Sequence, residues 1–373
     1  PCACCRNNPE PSPPSPSATP LSSRPLPINP SHHPAASTLT VLSRKGGRLD
    51  WSPDSRAIAV DRIGDDGCAD VFVMSSADGS AERCITCDHQ RLGLPPGHKG
   101  NPAWHPSGDW IVIQVAQGPA RCDFPTSPSR GRSNELWAVR PDASSAVRLV
   151  EVDPARPDGC LEPHFDPKGE RIVWSQMTDA PSAGDPRLPF GGWKLRIAAF
   201  SVRDGRPALE HPQDLPLTTS TAVLAQGFTP DGAAILWAAN PDPSQAFTGL
   251  DLGFLDLEKR VVTRRITSTP TDLERHARVT PAGRVVFTST RGLPGDLRHP
   301  SAEYWVAEPD GAMWRLTSFN NAAWELRPPN FPLRVAASDA EFSPDGSSLA
   351  SHVAFDNAKG EGAILRIQFS SPL

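Results

Sequence analysis

A short segment of apolar residue, polar residue, Pro, polar residue and Gly or Ser returns six times along this chain, so the fold must be assembled from six similar units. The copies are Trp51-Ser52-Pro53-Asp54-Ser55, Trp104-His105-Pro106-Ser107-Gly108, Phe165-Asp166-Pro167-Lys168-Gly169, Phe228-Thr229-Pro230-Asp231-Gly232, Val279-Thr280-Pro281-Ala282-Gly283 and Phe342-Ser343-Pro344-Asp345-Gly346. Pro presets φ for the first turn position and Gly supplies positive φ where the chain reverses, so each copy reads as a strand running into a tight turn. Five intervals of about 58 residues separate Pro53 from Pro344, longer than the roughly 40–50 residues of ordinary propeller blades, and the excess reads as insertions.

Between copies the chain alternates β-rich runs with turns. After Pro53 come Ala57-Ile58-Ala59-Val60, Asp70-Val71-Phe72-Val73-Met74 and Arg83-Cys84-Ile85-Thr86, separated by Asp65-Asp66-Gly67 and Ala77-Asp78-Gly79. With the strand ahead of the Pro, these make a four-stranded antiparallel meander, one propeller blade. The last unit supplies only Ser348-Leu349-Ala350-Ser351 and Ile364-Leu365-Arg366-Ile367 after its turn, while Thr38-Leu39-Thr40-Val41-Leu42-Ser43 stands unpaired before the first. The sequence therefore predicts an all-β, six-bladed β-propeller of four-stranded antiparallel blades, closed by strand 38–43 pairing with the last blade.

A chain of 373 residues would by length alone suggest two or three domains, but the repeat outranks that prior. Residues 1–36 are rich in Pro and Ser and poor in large apolar side chains, so they cannot bury enough surface to order themselves, and they read as a disordered tail. Residues 37–373 form the propeller domain. A net charge of −5 lacks the basic footprint of a nucleic-acid binder, and no apolar run approaches the roughly 20 residues of a membrane-spanning helix.

Three of the eight Cys, Cys2, Cys4 and Cys5, crowd the tail, where they are candidates for lipid attachment at an envelope. Cys84-Ile85-Thr86-Cys87 followed by His89 has metal-like spacing, but a second pair is missing from the sequence. Disulfides are the alternative, such as Cys68 with Cys84 or Cys87 and Cys122 with Cys160, in an oxidising compartment.

The turn motif resembles the PD40, or TolB-like, β-propeller repeat, whose signature is Phe-Ser-Pro-Asp-Gly followed later by Asp-Gly and Arg-Leu-Thr. Phe342-Ser343-Pro344-Asp345-Gly346 matches it letter for letter, and Arg315-Leu316-Thr317 closes the fifth unit. The resemblance covers residues 37–373. TolB itself carries an α/β domain ahead of its propeller, where this chain has the Pro-rich stretch. The resemblance implies a periplasmic or extracellular, envelope-associated protein. Related propellers serve as partner-binding modules, as gates ahead of serine-peptidase domains and as the catalytic body of some polysaccharide lyases.

In a propeller the innermost strand of each blade lines a central channel. Three residues before each signature Pro stand Asp50, Ala103, His164, Gly227, Arg278 and Glu341. Two residues earlier, on the same face by period-two alternation, stand Arg48, Asn101, Glu162, Ala225, His276 and Asp339. The large apolar residues two before each Pro, Trp51, Trp104, Phe165, Phe228, Val279 and Phe342, are expected to pack between blades. Candidate ligand-binding residues are thus Arg48, Asp50, Asn101, Glu162, His164, His276, Arg278, Asp339 and Glu341. His164, His276 and Glu162 could hold a divalent metal, and the competing reading is a self-compensating ion-pair network.

No Gly-x-Ser-x-Gly elbow, His-Glu-x-x-His or phosphate-cradling loop occurs, so no catalytic residue is assigned. The expectation is a non-catalytic binding propeller, monomeric and without a cofactor, presenting its channel and the long loops 118–133, 181–192, 293–301 and 320–333 to a protein, peptide or glycan. The alternative is a metal-assisted lyase or hydrolase acting through His164 and His276.

Overall fold

The computed structural model describes residues 36–118, 122–123, 126–217, 222–240, 242, 245–295, 301–355 and 362–373. The tail expectation for residues 1–35, with its three Cys, lies outside the described residues. Six four-stranded antiparallel sheets follow one another along the chain. Blade 1 holds β2 (Leu49–Trp51), β3 (Ala57–Ile63), β4 (Ala69–Ser75) and β5 (Arg83–Cys84). Blade 2 holds β6 (Lys99–Trp104), β7 (Ile111–Ala116), β8 (Asn134–Val139) and β9 (Ala146–Val150). Blade 3 holds β10 (Cys160–Phe165), β11 (Arg171–Asp179), β12 (Gly192–Arg203) and β13 (Arg206–Asp214). Blade 4 holds β14 (Val223–Phe228), β15 (Ala234–Ala239), β16 (Asp251–Asp256) and β17 (Val261–Arg265). Blade 5 holds β18 (Glu274–Val279), β19 (Val285–Ser289), β20 (Glu303–Ala307) and β21 (Met313–Arg315).

Blade 6 is composite. Its inner strands β22 (Val335–Phe342), β23 (Ser348–Phe355) and β24 (Gly362–Phe369) come from the end of the chain, and its outer strand is β1 (Ala36–Ser43). β1 pairs with β24 in antiparallel register, Val41 opposite Leu365 and Leu39 opposite Ile367. The chain is thus a six-bladed β-propeller closed as the unpaired apolar run of its sequence requires.

The core lies between blades. Each of six buried apolar clusters fills one of the six interfaces, from Ala59, Val71, Trp104 and Ile113 between blades 1 and 2 to Leu42, Trp51, Ile58 and Ile364 between blades 6 and 1. Among the described residues no helix is long and apolar enough to cross a membrane.

The recurring turn has a physical basis. In three copies the hydroxyl two residues before the Asp donates to that Asp at 2.6 Å, in the pairs Ser52 with Asp54, Thr229 with Asp231 and Ser343 with Asp345. The same carboxylate oxygen accepts the backbone N–H two residues further on, at 3.0 Å in each copy. These bonds replace helix or sheet partners for a chain that must reverse within four residues. At Gly169, whose φ is +72°, an added Cβ would also meet the His105 ring at 2.4 Å, so this turn needs Gly twice over.

Antiparallel order puts the two ends of the ring to different uses. The six Pro turns, which join the first two strands of each blade, share one face with the hairpins between the last two strands. The connections between second and third strands, and the crossovers between blades, lie on the other. The described parts of all four long loops therefore fall on this second face.

Both disulfides lie on the loop face as well. Cys68 is bonded to Cys122, and Cys84 to Cys87, while Cys160 is free and buried. This corrects both pairings read from the sequence: Cys160 sits inside the interface between blades 2 and 3, whereas Cys122 lies on a loop that reaches back to blade 1. By loop-closure entropy, linking residues 54 apart stabilises by about 4 kcal/mol, and linking residues three apart by about 2 kcal/mol.

Candidate functional site

The inner strands do not alternate cleanly. A register shift interrupts β6, β10, β14, β18 and β22 between the two rows of polar positions, and Asn101, Glu162 and His276 adopt positive φ of 50–53° there. The bulge corrects the expectation that both rows share one strand face. It splits them into two levels of the channel.

The outer level opens on the Pro-turn face. A cavity of about 440 Å³ is rimmed by all six signature Pro residues and by Trp51, Trp104, Phe165, Phe228 and Phe342. Asp50, His164, Gln226, Arg278 and Glu341 form its floor. Arg278 bonds Glu341 through Nε and lies 3.4 Å from Asp339 Oδ1 through Nη2. Its Nη1 donates to the carbonyls of Gln226 and Ala277 at 3.1 and 2.9 Å. Asp50 accepts the Trp51 and Trp104 N–H groups at 2.8 and 2.5 Å. Burial, and then the neighbouring Glu341 carboxylate, hold its pKa well above the usual carboxylate range. His164 is held well below the ordinary imidazole range by burial and by Arg278 and Arg48, so it enters the cavity neutral.

The inner level is a closed ion-pair network. Glu162 Oε1 accepts Arg275 Nη2 at 2.7 Å and Arg48 Nη1 at 3.2 Å, and its Oε2 accepts Gln226 Nε2 at 3.0 Å. Arg48 Nη1 also lies 3.1 Å from His276 Nδ1 and 3.7 Å from Asp339 Oδ1. Burial, then Arg48, Arg275 and Arg278, hold His276 neutral. A buried charge is tolerated only when paired and hydrogen-bonded, and each of these carboxylates is.

The structure thus brings together Arg48, Glu162, His276, Arg278, Asp339 and Glu341, with Asp50 and His164 at the mouth. Asn101 stands apart, donating through Nδ2 to Gln114 at 2.5 Å on the bulge. The three metal candidates do not share a site. Among the described residues the single set of three ligand side chains with donor atoms within 4.8 Å of one another is Asp70, Cys84 and Cys87. Three arginines near Glu162 and His276 make that pair a poor fit for a cation.

Sequence reasoning missed a third row. Eight residues after each signature Pro stand Asp61, Gln114, Ser175, Ala238, Ser289 and His352, on the buried second strand of each blade. Asp61, Gln114 and Ser175 accept the bulge N–H of the next blade, from Asn101 at 2.8 Å, Glu162 at 3.1 Å and Ala225 at 2.9 Å. Where the fourth copy has Ala238, Gln226 takes over and accepts Ala277 N–H at 2.9 Å. Five polar residues in an otherwise apolar register were the available signal. Arg130 was also missed. It lies on the loop-face connection between β7 and β8, 3.8 Å over the Phe190 ring, and burial, then Arg275 and Arg48, lower its pKa to about 10.

No family model matches the chain, and no curated protein matches it. Solved structures do. TolB from Agrobacterium tumefaciens superposes with a TM-score of 0.51 at 12% identity, over 86% of this chain and 89% of that one. TolB from Acinetobacter baumannii gives 0.50 at 11% identity, over 87% of this chain, which spans 63% of that longer protein. An oligogalacturonate lyase in complex with manganese gives 0.51 at 12% identity, over 92% and 97% of the two chains. At such identities the likeness speaks for architecture, and the chain is a six-bladed propeller with the TolB-like fold.

Proposed function

We propose that this chain is a non-catalytic binding propeller that takes a polar segment of a peptide or glycan into the mouth on its Pro-turn face. The observation that carries this reading is the division of the channel. The inner groups Arg48, Glu162, Arg275 and Asp339 are paired with one another, while Asp50, His164, Gln226 and the Arg278–Glu341 ion pair line one cavity ringed by aromatic edges. A cavity of this size, with a few convergent polar groups in apolar walls, suits a small segment of a larger partner. The Cys68–Cys122 disulfide and the TolB-like fold support an exported, envelope-associated setting.

The competing reading is a metal-assisted lyase or hydrolase using His164 and His276. The purified chain would be screened against peptide and oligosaccharide arrays, and the best ligand titrated calorimetrically into wild type and His164→Trp, which fills the mouth. Affinity at least tenfold weaker in the variant supports the proposal, and unchanged affinity moves binding to another surface. Turnover of oligogalacturonate or a small ester that needs an added divalent cation, and that His164→Ala and His276→Ala abolish, would replace it with the enzyme reading.

A further inference from the structure

The Cys84-Ile85-Thr86-Cys87 segment gains in three dimensions the partner that its sequence lacks. It leaves β5 at the start of the crossover to blade 2, on the loop face and away from the mouth. β4 runs alongside, with Phe72 opposite Cys84, and this register carries Asp70 to the two sulfurs. Ligand atoms of Asp70, Cys84 and Cys87 all lie within 4.8 Å of one another. The two described partners of the Asp70 carboxylate, Thr86 Oγ1 at 2.7 Å and the buried Lys99 ammonium at 3.2 Å, both engage Oδ1. Cys87 N–H donates to Cys84 Sγ at 3.0 Å, a bond that also suits a sulfur carrying negative charge.

Accessibility separates this disulfide from the other one. Cys87 is exposed and Cys84 half-buried, whereas Cys68 is buried. A link between residues three apart constrains the unfolded chain far less than one between residues 54 apart, so stability gives little reason to keep it permanently closed.

We propose that Cys84, Cys87 and Asp70 form a redox-gated site for a thiophilic divalent cation such as zinc. In the oxidised chain the site is shut, because both sulfurs are bonded to each other. A dithiol opens it. One of its thiolates attacks one sulfur of the pair and the other sulfur leaves as a thiolate; the second thiol of the reductant then displaces the first cysteine. The balance is one new disulfide in the reductant and two cysteine thiols here. A divalent cation then binds the two sulfurs and displaces two protons. Zinc–sulfur bonds of about 2.3 Å in tetrahedral geometry need sulfurs about 3.8 Å apart, a separation that a Cys-x-x-Cys turn reaches by side-chain rotation. Asp70 supplies the oxygen ligand, and a fourth position stays open to water or an incoming group. Two thiolates and one carboxylate favour zinc over magnesium or calcium, which take oxygen.

The test uses the full chain carrying Cys2→Ser, Cys4→Ser and Cys5→Ser, so that the tail thiols do not bind metal. After phosphine reduction and anaerobic buffer exchange, Co²⁺ and then Zn²⁺ are titrated. The reduced chain is expected to bind one equivalent with thiolate-to-cobalt charge-transfer absorption, and the oxidised chain none at the same concentrations. Cys87→Ser, at an exposed position that preserves the fold, should abolish that absorption and weaken zinc binding at least a hundredfold. Asp70→Asn should weaken it at least tenfold while near-ultraviolet circular dichroism stays unchanged. The proposal is overturned if the reduced chain, with its thiols verified by titration, takes up no cation, or if Cys87→Ser binds zinc as tightly as its parent.

Discussion

The Pro-turn face and the loop face of this ring are stabilised at different ranges. On the first, each turn is closed by residues two to five positions apart, such as Ser343, Asp345 and Ser348, with single ties to the next turn such as His105 Nε2 at 3.0 Å from the Gly169 carbonyl oxygen. On the second, bonds tie the loops of one blade to those of the next: Cys68 to Cys122, and Phe247 N–H to the Pro186 carbonyl at 3.0 Å. A face built from local contacts repeats because each copy can be selected alone. A face built from distant contacts diverges because each contact needs two changes at once, and insertions there disturb no repeated turn.

If this contrast is right, the largest loss should come from the polar floor that joins blades beneath the repeated turns. Arg278→Ala would leave Asp339 and Glu341 without their shared cation, and a broken buried ion pair costs about 3–5 kcal/mol. Urea unfolding is the measurement, and a loss below about 1 kcal/mol would mean that the two carboxylates find other partners or protons. Next comes the loop face. Cys68→Ser with Cys122→Ser should lower stability by about 2–5 kcal/mol under the same assay. A loss larger than that of Arg278→Ala would reverse the ranking of the two faces.

The smallest expected effect concerns the interior between the faces and is read through pH. Burial, and then Arg48, hold the His352 imidazole down to about 4. A group whose folded value lies below its unfolded one gives stability that is present above about pH 6.5 and is lost as pH falls through 4. His164 and His276 act in the same direction. Asp61 opposes them: burial raises it to about 6, so its contribution grows as pH falls. Between pH 6.5 and 4, His352→Gln should therefore lose less stability than wild type, by up to about 3 kcal/mol. Parallel curves for the two proteins would show that His352 is solvated in the folded ring.

The architecture was legible because it rests on repetition. Six Pro turns and an unpaired Leu39-Thr40-Val41-Leu42 were enough to specify six blades and their closure. The channel was half legible. Asp50, Arg278 and Glu341 could be found by counting from Pro, but that count carries no information about the bulge, which arises where Asn101, Glu162 and His276 take positive φ. Arg275 falls outside the rows counted from Pro, and its partner Glu162 lies two blades away in sequence. Asp70 was hidden for the same reason: its approach to Cys84 and Cys87 depends on strand register, and spacing along the chain does not record register.

The composite sixth blade also fixes an order of events. β1 is the first described strand to be synthesised, yet its partner β24 is the last, with Ser43 opposite Ile364. Until the final strand exists, the apolar side of β1, with Leu42, has no sheet to join, and β24 would otherwise complete the ring with an open edge. Five blades can form in sequence while the opening strand waits. Closing the ring therefore requires the most sequence-distant pairing of the described strands, whose loop-closure cost is the largest in the fold.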